Sequence, residues 1–178
     1  MIRARPTTYN SVRFRSRLEA KWAAFFDLAG WQWEYEPVDT AGWVPDFVLR
    51  GARENTWVEV KPIEWVGQSI DSYARQARAR EDLRKVWEQP REALILGLYP
   101  VPVTYDEPFL GIIANDGCHP EDAAMLMQNA AGIVDFHGTK TSNLRISGQP
   151  YPKGKIADWA LVGDLWRRAG ALTQWRAA

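Results

Sequence analysis

The fold turns on residues 43–62, WVPDFVLRGARENTWVEVKP. Two β-like runs, WVPDFVL (43–49) and TWVEVK (56–61), flank a polar turn over 50–55, and both carry charge among Trp, Val and Phe. Paired as an antiparallel hairpin centred between Ala52 and Arg53, they set Val48 opposite Trp57, Asp46 opposite Glu59 and Val44 opposite Lys61. Period-two alternation then puts Asp46, Glu59 and Lys61 on one face. Opposed Cβ atoms lie about 4.5–5.5 Å apart, and like charges opposed at that distance repel. The pair asks for a cation.

Lys61 alone leaves such a site net negative. Mg²⁺ suits a carboxylate pair completed by backbone carbonyls and water. A metal beside a lysine is a hydrolytic arrangement: the ion polarises a phosphoryl oxygen and acidifies a water, and the ammonium orients or deprotonates that water or neutralises developing charge. The alternative is a cross-strand salt bridge from Lys61 to Asp46 or Glu59 on a solvated face. Two features weigh against it. Val48 and Trp57 share the face with the charges, and the preceding stretch SRLEAKWA offers a third carboxylate, Glu19, beside the apolar stripe of Trp22 and Phe26. Glu19 also reads as the partner of Ser16 in a helix capping box.

Working outward, residues 16–29 read as a helix stopped by Gly30. WQWEYEP (31–37) alternates as a half-buried strand. Residues 68–88 read as one long helix closed by Pro90, and EALILGLY (92–99) as a central strand. Pro100, Pro102 and Pro108 mark a loop before the strand FLGIIAN (109–115). Residues 121–131 look helical, GIVDF (132–136) strand-like, 140–155 loop-rich, and 156–175 a C-terminal helix.

Together these residues resemble the PD-(D/E)XK nuclease superfamily: Pro45-Asp46, then twelve residues, then Glu59-Val60-Lys61, after a helix carrying Glu19. The phrases YEP, VPDFVL and WVEVKP are similar to variants in phage and mobile-element nucleases, and to the catalytic domains of transposon end-cleaving endonucleases. The resemblance implies an α/β fold with a restriction-endonuclease-like core, α-β-β-β-α-β, over residues 16–99. A basic N-terminal arm (1–15) precedes it and an α+β extension (100–178) follows. It implies that Asp46, Glu59 and the Val60 carbonyl bind Mg²⁺, with Mn²⁺ substituting, that Lys61 acts on the attacking water, and that Glu19 assists. The implied activity is metal-dependent hydrolysis of DNA by an endonuclease in phage or mobile-element DNA processing. Two alternatives stay open: a nuclease-fold DNA-binding or assembly subunit active only with partner proteins, and a resolvase specific for branched DNA.

The 178 residues hold 22 basic and 22 acidic side chains, so generic polyanion binding is not written into the net charge. The charge is uneven, however. Residues 1–21 carry six basic residues against Glu19, including Arg13, Arg15 and Arg17, with Tyr9 and Phe14 interleaved. Residues 73–91 carry six against three acids, including Arg75 and Arg78. Such patches bind phosphate on a neutral protein, or are simply solvated, and the arm is either a DNA contact or a frayed terminus. The single cysteine, Cys118, forms no internal disulfide, and no apolar stretch approaches a membrane span. The expected setting is the cytoplasm, of the host if the chain is phage-encoded, with DNA as partner, in a homodimer or a larger DNA-processing complex. Cys118-His119 and the Asp135/His137 pair suggest metal or nucleophile sites only weakly.

Overall fold

The computed structural model describes residues 5–38, 42–67, 69–103, 107–115, 121–129, 132, 134–140, 143–150 and 154–174. The first half runs β1 (Thr7–Tyr9), β2 (Val12–Phe14), α1 (Arg17–Ala29), β3 (Trp33–Tyr35), β4 (Phe47–Leu49), β5 (Thr56–Val60), α2 (Ile70–Arg78), a 3-10 turn at Glu81–Leu83, and α3 (Arg84–Trp87). The rest is β6 (Ala93–Pro102), β7 (Pro108–Ala114), β8 (Glu121–Asn129), β9 (Val134–Gly138), β10 (Gly154–Ile156) and α4 (Trp159–Leu172).

Helix α1 begins where Ser16 accepts the Glu19 N–H on its hydroxyl at 3.1 Å. It ends at Gly30, whose φ of 77° places it in the left-handed region that terminates helices. Its buried face holds Trp22, Phe25 and Phe26. These rings meet Trp31, Phe47 and Trp166, joining α1 to the sheet and to α4. Truncating one such ring to alanine costs about 3–5 kcal/mol, so this aromatic layer holds the helices against the sheet.

The α/β architecture is a large mixed sheet flanked by helices. From one edge the strands run β3-β4-β5-β6-β7-β8, with β9 also paired to β8 and β10 paired to the far end of β8. Every pairing is antiparallel except β5 with β6. Parallel neighbours need a crossover, and α2 through α3 supplies it. One core lies between the sheet and α1/α4, the other between the sheet and α2/α3. Strands after residue 100 extend the same sheet.

Three expectations, and one of two alternatives for the N-terminal arm, are corrected. Residues 68–88 are not one helix. A continuous helix would carry Arg80 and Glu81 onto the stripe of Tyr73, Ala74 and Ala77; the extended Arg80 (φ −91°, ψ 117°) breaks it and turns Leu83 and Val86 inward. The Ala- and Met-rich segment 121–129 is strand β8, because pairing with β7 and β9 overrides helix propensity. Pro100 and Pro102 lie in β6 and Pro108 opens β7, at a register shift where the lost N–H groups are tolerated. Residues 7–14 do not fray: they form a hairpin turned by Asn10 and Ser11 at φ 47° and 63°, with Phe14 fully buried. Among the described residues, no helix is long and apolar enough to cross a membrane.

Candidate functional site

The hairpin forms in the expected register, with Val48 opposite Trp57 and Phe47 opposite Val58. Asp46 stands one residue before β4, continuing that register toward Glu59. Its carbonyl accepts the Glu36 N–H at 3.0 Å, so its main chain faces β3. The alternation of an antiparallel ladder then makes Pro45 and Val60 the next hydrogen-bonded pair. Proline has no N–H to donate to the Val60 carbonyl. The Val60 N–H itself goes to the Asp46 side chain, whose Oδ2 accepts it at 2.7 Å in place of a main-chain carbonyl. The carboxylate is 2% exposed, locked at the carboxyl end of β5.

Glu59, 6% exposed, is fixed by two donors: Trp43 Nε1 donates to Oε2 at 2.8 Å, and Lys61 Nζ lies 2.6 Å from Oε1. The Lys61 backbone N–H donates to the Leu96 carbonyl at 3.0 Å, adding a rung between the parallel strands. Its side chain remains 22% exposed. Burial pulls the Lys61 pKa down, but Glu59, and behind it Asp46 and Asp82, more than reverse this and leave it raised. Lys61 is therefore an ammonium at neutral pH.

Glu19 reaches the same place from the opposite layer. Its Oε1 accepts the Ser16 hydroxyl at 2.7 Å, and its Oε2 accepts the Tyr35 hydroxyl at 2.6 Å and the Arg15 N–H at 3.2 Å. Burial and the bond to Glu19 raise the Tyr35 pKa, so the phenol keeps its proton. Arg15 bridges the layers: its guanidinium contacts Asp46 Oδ1, stands 3.0 Å from Glu36 and 4.0 Å from Glu19. Glu36 sits at φ 44°, a left-handed turn off β3.

Four carboxylates thus meet two cations. Burial first, then Glu59, push the Asp46 pKa up to about 7; the Val60 N–H opposes this. The Arg15 guanidinium on Oδ1 pulls the same way as that N–H, so the upward direction is fullest when the arginine is elsewhere. Among the described residues no group of three or more His, Cys, Asp or Glu side chains has the arrangement of a metal site. The donors that do converge are hard oxygens from Asp46 and Glu59, beside the Val60 backbone. They fit a divalent cation that keeps most of its water shell. Asp46 and Glu59 each have one oxygen bonded to a neutral N–H and the other in contact with a guanidinium or ammonium.

The structure brings Glu19, Asp46, Glu59 and Lys61 together, with Glu19 joined to Asp46 through Arg15 rather than directly. Arg13, Arg17 and Arg75 are exposed and form no ion pair among the described residues. Arg78 is engaged otherwise, with its guanidinium on Glu121 and 4.3 Å from the Trp87 ring centre. Asp135 spends both oxygens on the Ile146 and Ser147 N–H groups, anchoring a loop. His137 is buried against the Gly138 carbonyl. Cys118 and His119 lie outside the described residues.

Trp43, Tyr35 and Glu36 are the contributors that sequence reasoning missed. The only signal was their place in the quoted phrases YEP and WVPDF. No family model, curated protein or solved structure matches the chain.

Proposed function

We propose that this chain is a divalent-cation-dependent endonuclease that hydrolyses DNA phosphodiesters, built on a restriction-endonuclease-like core of the PD-(D/E)XK type. The observation that carries the reading is the meeting of Asp46 and Glu59 with the Lys61 ammonium at the open carboxyl end of β5.

Asp46, Glu59 and the Val60 carbonyl would hold Mg²⁺, with Mn²⁺ as a substitute. The ion supplies Lewis-acid polarisation of a phosphoryl oxygen and a more acidic water. Lys61, held protonated, donates to the attacking water or to a phosphate oxygen and balances the charge that grows there. The Tyr35 hydroxyl fixes the Glu19 carboxylate, which Arg15 links to Asp46. Exposed Arg13 and Arg17, on either side of Arg15 in sequence, and Arg75 on α2 are the candidate phosphate contacts.

Supercoiled plasmid incubated with Mg²⁺, Mn²⁺ or EDTA, beside a Lys61→Ala control, tests the reading. Metal-dependent nicking lost in the control is the expected result. Equal nicking by both chains would refute the role of this site. The second reading is an assembly subunit active only with partner proteins; the seating of Arg15 on Asp46 favours it. Metal binding without nicking on linear, supercoiled, flap or four-way-junction DNA would select it.

A further inference from the structure

We infer that Arg15 is an exchangeable phosphate ligand: its guanidinium, seated on Asp46, moves to the DNA backbone when a divalent cation takes that carboxylate. The inference rests on the nuclease reading above and adds an order of events to it.

Three observations carry it. First, the Arg15 side chain touches three carboxylates, those of Asp46, Glu36 and Glu19, yet remains 59% exposed. Its main partner, Asp46, is by contrast almost fully buried, with a side chain 3% exposed. The guanidinium keeps a face to solvent, and its fork matches a phosphate as well as a carboxylate.

Second, the Arg15 main chain is held independently of its guanidinium. Its N–H donates to Glu19 Oε2 at 3.2 Å and to the Tyr35 hydroxyl at 3.1 Å. The preceding Phe14 is fully buried against Tyr35 and Phe47 in the β1–β2 hairpin. The side chain can therefore swing while the backbone stays in register. Exposed Arg13, two residues earlier, makes no ion pair among the described residues.

Third, the contact occupies an oxygen that the metal would need. Asp46 Oδ2 is bound to the Val60 N–H, which leaves Oδ1, the atom Arg15 holds. A divalent ion on that oxygen and the guanidinium beside it repel one another. Metal binding therefore competes with the Arg15–Asp46 contact, and a phosphate brought to the metal offers the guanidinium another partner.

The test uses the full chain and an Arg15→Gln variant, with circular dichroism and thermal melting to establish folding. Mn²⁺ binding without DNA is followed by electron paramagnetic resonance. Binding of a labelled duplex is followed by anisotropy in Ca²⁺, across a salt series. The variant should bind Mn²⁺ about three- to tenfold more tightly, because a competing cation is gone. It should bind the duplex more weakly, with a log–log salt slope shallower by about one. Arg15→Lys should restore part of the salt slope. Mn²⁺ affinity equal to or weaker than that of the parent chain would overturn the exchange. Tighter Mn²⁺ binding with unchanged duplex affinity and slope would overturn the phosphate role. Failure of both chains to bind Mn²⁺ would instead remove the nuclease reading and this inference with it.

Discussion

Asp46 Oδ2 accepts the Val60 N–H at 2.7 Å, at the rung where Pro45 has no N–H to donate in return. One hydrogen bond therefore ties the end of the sheet to a carboxylate that burial and Glu59 press toward its neutral form. A raised acid is more favourable to the fold when protonated. Its contribution is fully present below the unfolded-state pKa of about 4, and is lost as pH rises through the folded value of about 7.

Asp46→Asn keeps an oxygen for the Val60 N–H but carries no charge. Urea denaturation in EDTA should show the stability difference moving in favour of the asparagine chain as pH rises from 4 to 8. A difference that is flat or moves the other way would contradict the assigned direction.

Lys61→Ala should lower metal-dependent nicking about 10²–10⁴-fold, the usual scale for removing a group that acts on the reacting atoms. Mn²⁺ affinity should hold or tighten, since Glu59 Oε1 loses its ammonium partner. Loss of metal binding together with nicking would make Lys61 structural instead.

Phe14→Ala should destabilise the chain by about 3–5 kcal/mol, because a fully buried ring in contact with Trp33, Tyr35 and Phe47 leaves a cavity. Arg13→Ala, on the exposed side of the same strand, should stay within about 0.5 kcal/mol. Equal effects in chemical denaturation would mean that the hairpin is not part of the core.

Gly97→Ala tests the sheet beneath the site. A Cβ there would meet Trp65 Nε1 at 2.3 Å and the Ile63 carbonyl at 2.6 Å, and Trp22 Nε1 already donates to the Gly97 carbonyl at 2.9 Å. The expected cost is about 1–3 kcal/mol. Nicking should also weaken, since Ile63 follows Lys61 by two residues and its N–H donates to the Lys61 carbonyl at 2.7 Å. A melting temperature equal to that of the parent chain would show that the close packing is not needed.

The hairpin register was legible because alternation within FVL and TWVEV admits one pairing that buries Phe47, Leu49, Val58 and Val60 together. Helix α1 was legible from Ser16, Gly30 and the aromatic stripe. Segment 121–129 was not: Glu121, Ala123, Ala124, Met125 and Met127 favour helix locally, and only pairing with strands distant in sequence decides otherwise. The hairpin at 7–14 was readable in principle, since Asn10-Ser11 between Tyr9 and Val12 is a two-residue turn between alternating runs. Arg15 reached the candidate list as a phosphate contact, but its bond to Asp46 spans 31 residues of sequence and leaves no local signature.

Trp43 donates its indole N–H to Glu59, and its ring lies 6.2 Å from that of Trp57. Of the ten tryptophans, Trp22 and Trp31 donate instead to backbone carbonyls in the core. The chain therefore carries a built-in optical reporter. A diamagnetic cation drawn to Glu59 changes the polarity around one indole, and the emission lost in Trp43→Phe isolates that signal without any label.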